Sequence, residues 1–173
     1  ALHHAAFSVS SVITTTGYCT ENFDLWPEFS RVILVLLMLV GACAGSTGGG
    51  LKVSRLVILV KAMGNEVRML IRPHTVKVIT IDGKRVDADA VRAVSSYFLI
   101  YVLLTVASIL LVSLDNFDAS TTITAVFATF NNIGPGLGLV GPVGNFAMFS
   151  PLSKIVLTLD MLFGRLELYP MLV

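Results

Sequence analysis

Thr14-Thr15-Thr16-Gly17-Tyr18 and Asn131-Asn132-Ile133-Gly134-Pro135-Gly136 are two short glycine turns, each set in an apolar stretch free of acidic and basic residues. Their residue types suit one kind of chemistry. A cation leaving water needs a ring of oxygens in place of its hydration shell, and backbone carbonyls form one where packing holds the chain extended. Thr14, Thr15 and Thr16 add hydroxyls, and Gly17 tolerates the backbone angles such a strip requires. Asn132 takes the part of Thr15 in the second copy, with Ile133 and Gly134 continuing the strip. Irregular backbone survives at membrane depth only where protein buries it or where it lines a watery cavity. A pair of such turns therefore points to a pathway.

Two further features belong with them. Gly45-Ser46-Thr47-Gly48-Gly49-Gly50 interrupts an apolar helix pattern. A glycine-rich turn ahead of a helix can bind phosphate, but this one continues as Leu51-Lys52 instead of the Lys-Ser/Thr of a P-loop and follows a helix, not a strand. Arg165 lies in the last mainly apolar helical segment, with Asp160 and Glu167 nearby. An arginine at the centre of a membrane helix costs roughly 2.5–3.5 kcal/mol, so it either snorkels to the cytoplasmic end or faces the pathway. In the second case it meets carbonyls of the glycine break, repels cations and helps hold a gate shut; Asp160 and Glu167 are the alternative partners. His3 and His4 read as packing residues near the first short helix. Cys19 and Cys43 suggest no disulfide, and no metal-ligand spacing occurs.

The elements that must position these residues are those of a membrane protein. Mean hydropathy is +0.84, 55% of the 173 residues are hydrophobic and 13% are charged, against roughly 25% charged in ordinary globular chains. Nine of the twelve lysines and arginines fall between Lys52 and Arg92, which places that segment in the cytoplasm. Glu21, Asp24 and Glu28, with Asp115 and Asp118, then face outside, either as simply solvated acids or as a mild attraction for cations at a pore mouth. Residues 1–13 read as a short helix and 29–44 as a helix entering the membrane, with Trp26 at its interface. The break at 45–50 precedes a helix over 51–70 that Pro73 ends. Alternating apolar residues around Asp82-Gly83 predict a small hairpin over 76–86. Residues 93–114 form an uncharged span, 120–130 a half-length helix of about 16 Å, and 151–168 the last crossing. Aligning Gly17 with Gly134 gives an offset of 117 residues, which sets Gly48 opposite Arg165 and suggests an internal duplication.

The strings His4-Ala5-Ala6-Phe7-Ser8, Thr14-Thr15-Thr16-Gly17-Tyr18, Gly45-Ser46-Thr47-Gly48-Gly49-Gly50-Leu51-Lys52, Asn131-Asn132-Ile133-Gly134-Pro135-Gly136-Leu137-Gly138 and Met161-Leu162-Phe163-Gly164-Arg165-Leu166-Glu167 resemble the TrkH-type potassium uptake proteins of the Trk/Ktr superfamily. The resemblance covers nearly the whole chain. It implies an all-α membrane fold of helix–pore-loop–helix repeats around a fourfold pseudo-symmetric pore. Residues 1–72 would be the pore helix, filter and broken inner helix of repeat three. Residues 73–92 would be a cytoplasmic linker with the hairpin, and 93–173 the outer helix, pore helix, filter and inner helix of repeat four. It implies a potassium filter from Thr15, Thr16, Gly17 and Tyr18 with Asn132, Ile133, Gly134 and Pro135, potassium meeting Thr15, Thr16, Asn132 and Ile133. The gate would be Gly45, Ser46, Thr47, Gly48, Gly49 and Gly50 with Arg165 beneath the filter.

The same resemblance implies a homodimer in the bacterial inner membrane, crossing it several times. Repeats one and two would belong to the same longer protein, consistent with a chain that opens on Ala1-Leu2-His3-His4. A cytoplasmic TrkA-type regulator would carry the nucleotide, so this chain needs no cofactor beyond potassium as substrate, and no nucleic acid is expected. A cation-coupled secondary transporter is the alternative, with Asp160 as the one carboxylate deep enough to serve it. A purely structural membrane subunit is a third reading. No nucleophile, base and orienting group assemble, so an enzyme is not expected.

Overall fold

The computed structural model describes residues 2–41, 46, 48–71, 79–81 and 84–165. Six helices account for most of them: α1 (Leu2–Ile13), α2 (Glu28–Leu39), α3 (Val53–Ile71), α4 (Ala88–Val112), α5 (Ala119–Phe130) and α6 (Pro151–Arg165). Two-residue strands β1 (Thr80–Ile81) and β2 (Lys84–Arg85) pair antiparallel, Thr80 with Arg85 and Ile81 with Lys84. Positions 76–78 and 82–83 of the expected hairpin lie outside the described residues.

Among the described residues α4, with the short turn that follows it to Asp115, is the one helix long and apolar enough to cross a membrane. Its pattern fits lipid outside and protein inside. Tyr97, Tyr101, Thr105, Ser108 and Val112 form the buried stripe, while Leu99, Leu103 and Leu110 are exposed. Hydroxyls on the buried side are satisfied locally or across helices. Thr105 Oγ1 donates to the Tyr101 carbonyl at 2.8 Å, and Ser108 Oγ donates to Asp160 Oδ1 on α6 at 2.6 Å.

The half-length helix is α5, eight of whose 12 residues are buried, packed against α4 and α6. Asp118 starts it, accepting from the Thr121 N–H at 3.1 Å and from the Ser120 hydroxyl. Those bonds, the Ser120 hydroxyl first, hold the Asp118 carboxyl down at about 2, well below the usual 3.9. Its folded value lies below its unfolded one, so its stabilisation is complete above about pH 4. It fades as pH falls toward about 2. Asp118→Ala should cost about 1 kcal/mol, the usual worth of an N-cap. The expected reading is a lower melting temperature at pH 7, with the gap from the unsubstituted protein closing in acid.

The first broken helix differs from its expected bounds. α2 ends at Leu39, five residues short of the expected 44, because Val40 turns extended and pairs in parallel with Leu51. The Gly41 N–H donates to the Leu51 carbonyl at 2.9 Å. The chain thus leaves the helix, returns beside its own exit and restarts as α3.

The acids expected to face outside are not simply solvated. Asp24 Oδ1 accepts from the Gly138 N–H at 3.0 Å and from Arg31 Nη1 at 3.4 Å, joining the two halves of the chain. Glu28 pairs with Arg31, and Asp115 accepts from the Ser150 N–H at 2.9 Å. His4 Nδ1 lies 3.1 Å from Thr20 Oγ1 and 3.9 Å from Glu21, so it ties α1 to the loop behind the first turn rather than only packing.

Candidate functional site

The two glycine turns share their helix-end hydrogen bonds. α1 and α5 each hold 12 residues, and both start and end 117 positions apart. Past α1, the Thr15 N–H donates to Val12 O at 3.1 Å and the Thr16 N–H to Ser11 O at 2.9 Å. Past α5, the Asn132 N–H donates to Thr129 O at 3.0 Å and the Ile133 N–H to Ala128 O at 2.8 Å. Positive φ recurs at matching places, 54° at Thr15 and 55° at Asn132, then 78° at Gly17 and 108° at Gly134. Left-handed backbone costs a side-chain-bearing residue roughly 1–2 kcal/mol, so glycine suits the second place, whereas the first is held by its helix-end hydrogen bonds.

These turns meet. A methyl group built on Gly17 would overlap the Ile133 carbonyl oxygen and stand 3.3 Å from Pro135 Cδ. Ile133 is buried with Val12, Phe23, Leu34 and Met38, so the core of the first half grips the second turn. Thr15, Thr16, Asn132, Ile133 and Gly134 line one cleft of about 610 Å³, with Lys154, Thr158 and Met161 of α6 on its far side. Gly17, Tyr18 and Pro135 do not line the cleft; Pro135 is half-buried against Gly17, and Tyr18 is 73% exposed. Helices α1 and α5 both end at this cleft, and the partial negative charge of a helix C-terminus favours a cation there.

Beneath the second turn, three elements converge on two asparagines. Asn131 is fully buried; its Oδ1 accepts from Tyr101 Oη at 3.1 Å and its Nδ2 donates to Phe127 O at 2.9 Å. Gly49 and Gly50 press against it so closely that a methyl on Gly49 would stand 2.6 Å from Asn131 O, and one on Gly50 would overlap Asn131 Oδ1. Asn132 Nδ2 donates to Met161 O on α6 at 3.0 Å. That bond uses the amide nitrogen and fixes the Asn132 side chain to α6. Gly164 packs onto Phe130 O and Asn132 Nδ2 from below.

Arg165 follows Gly164 directly and is exposed on the last described turn of α6. Its offset partner changes. α2 begins at Glu28 and α6 at Pro151, a separation of 123 residues, because the second return loop is longer. Arg165 is thereby level with position 42 and not with Gly48. Of the glycine break, Gly49 and Gly50 are buried, Ser46 is exposed and its Oγ accepts from the Gly48 N–H at 3.1 Å, and Gly45 and Thr47 lie outside the described residues. Glu167 also lies outside them. Asp160 is buried against Ser108 at the α4–α6 contact and does not line the cleft, which argues against its serving as a coupling carboxylate.

Sequence reasoning passed over the threonines of α5. Thr124 Oγ1 accepts from the Leu137 N–H at 2.9 Å, and Thr121 Oγ1 from the Leu139 N–H at 3.2 Å. They fasten the return loop to the half helix. Their spacing of three on one helix face was the available signal.

A model of the family described as TrkH, cation transport protein, matches residues 1–173. The chain is 40% identical over 172 residues to the Trk system potassium uptake protein TrkH of Salmonella typhimurium, and 34% identical over 170 residues to TrkG of Escherichia coli. It spans about 35% of the length of each. Among solved structures, the potassium transporter TrkH from Vibrio parahaemolyticus superposes with a TM-score of 0.87 at 38% identity, covering 98% of this chain and 36% of that one.

Proposed function

Because the chain belongs to the TrkH family of cation transport proteins, we propose that the complete protein takes up potassium through a channel-like pore running past Gly17 and Gly134. The observation that carries this is the meeting of two similarly bonded glycine turns beside one cleft. In an extended chain successive carbonyls alternate sides. Positive φ at every second residue, as at Thr15 and Gly17 and again at Asn132 and Gly134, turns neighbouring carbonyls toward a common side. Two such strips supply part of an oxygen ring, and the remaining strips come from repeats one and two of the same protein. The names of the curated relatives, potassium uptake proteins of Trk systems, supply the ion. The setting proposed with it is a homodimer in the bacterial inner membrane with a TrkA-type nucleotide-binding regulator on its cytoplasmic side.

Uptake of potassium and sodium by the complete protein tests the filter. Gly134 has no atom within 4 Å of a built methyl group but a φ of 108°, so Gly134→Val meets no clash, strains the backbone at the turn itself and should lose potassium preference. Unaltered rate and selectivity would count decisively against carbonyls at this turn.

The gate is the glycine break with Arg165. Gly49 and Gly164 both approach the Asn132 amide nitrogen, which brings the break and the arginine-bearing end of α6 together at the turn. A fixed positive charge there opposes a passing cation. Arg165→Ala should raise potassium flux severalfold, and an unchanged flux would remove Arg165 from the gate.

A further inference from the structure

The basic residues of α3 have a use that the ion pathway does not absorb. Lys61, Gly64, Asn65 and Arg68 follow the spacing of a single helical stripe. With Val60 they line a cleft of about 380 Å³ closed on its other side by Ile79 and Thr80. Lys61 Nζ donates to the Thr80 carbonyl at 2.7 Å and pins β1 against the helix. Gly64 keeps the middle of the stripe open, since a methyl there would meet nothing within 4 Å. Glu66, the acid of α3, does not line the cleft. Val57 and Val60, on the side toward the glycine break, are exposed.

Depth supports a membrane-surface role. α3 starts at Val53, directly after the glycine break that the proposed function sets at mid-membrane depth. At about 1.5 Å per residue, Lys61 lies about 12 Å and Arg68 about 23 Å further along the axis. Half the hydrocarbon core is about 15 Å and half the whole bilayer about 20–22 Å. The two cations therefore bracket the headgroup layer, with exposed valines above them at acyl-chain depth.

We propose that this cleft binds the phosphodiester headgroup of an anionic phospholipid from the cytoplasmic leaflet. Lys61 supplies a point charge, and Arg68 a planar guanidinium that matches two phosphate oxygens. Val57 and Val60 receive the start of an acyl chain. The site depends on where α3 sits in the bilayer and not on the filter, so lipid retention and potassium selectivity fail independently.

The test uses the complete protein in nanodiscs of phosphatidylcholine doped with phosphatidylglycerol, with retained lipid counted by native mass spectrometry. Phosphatidylglycerol should be retained over phosphatidylcholine by roughly tenfold, and Lys61→Gln with Arg68→Gln should abolish that preference. Lys61→Arg should keep it, which separates charge from lost packing. The pair Arg85→Gln and Arg92→Gln removes the same charge outside the cleft and should leave retention intact. Unchanged retention in the Lys61/Arg68 variant, or equal loss in the Arg85/Arg92 pair, would overturn the site. Protection by inorganic phosphate equal to that by phosphatidylglycerol, read as melting temperature, would overturn the lipid assignment in favour of a free-phosphate site.

Discussion

Alanine in place of Gly17 should cut potassium uptake by the complete protein about tenfold or more, the equivalent of about 1.4 kcal/mol. Two costs coincide at this position. Its φ of 78° is one that an L-residue adopts at a penalty of roughly 1–2 kcal/mol. The added methyl would also fall on the Ile133 carbonyl oxygen. That carbonyl has little room to retreat, because the Ile133 N–H is bonded to Ala128 O at 2.8 Å and its side chain is buried against Val12 and Met38. Relief must therefore come from separating the turns or rotating the carbonyl, and either disturbs the oxygens proposed to meet the ion. Gly134→Ala is the matched control, with positive φ but open space around the methyl. It should pay the backbone strain alone and keep more of the uptake. Equal uptake by both variants and the unsubstituted protein, in cells lacking other potassium transport, would mean that the Gly17–Ile133 contact is not part of the conduit.

Gly164→Ala should lower the melting temperature in detergent, at an expected loss of about 1–3 kcal/mol for overpacking a fixed contact. The direction is the informative part. Within an exposed helix, Gly to Ala gains up to about 1 kcal/mol. Here the methyl would overlap the Phe130 carbonyl and stand 3.0 Å from Asn132 Nδ2. Backbone meets backbone, so no side-chain rotation relieves it. α6 would be pushed off α5, straining the bond from Asn132 Nδ2 to Met161 O. Gly64→Ala, on the exposed face of α3 with nothing within 4 Å, supplies the opposite sign: neutral or slightly stabilising. If both variants melt alike, the close approach of α6 to the second turn is wrong.

Local chemistry was written plainly in the chain. Threonine and asparagine ahead of glycine, apolar runs of half and full length, and prolines at helix starts are signals spanning a few residues. They marked α5 to within a residue of its start, the uncharged span within α4 and the repeat of 117 positions. The internal likeness of the turns followed, because similar short strings make similar helix-end hydrogen bonds. Tertiary structure decided what those turns touch. The Tyr101–Asn131 bond, the Asp24–Gly138 bond and the Asn132–Met161 bond link residues 30, 114 and 29 positions apart. The register of Arg165 shifted because the second return loop is longer than the first, a difference no local pattern marks. Asp160 went to Ser108 instead of the cleft because helix packing, not hydropathy, sets which face of α6 turns inward. Backbone conformation is governed by near neighbours, whereas a site assembled between helices depends on how their faces interlock, and that is settled only when the whole chain packs.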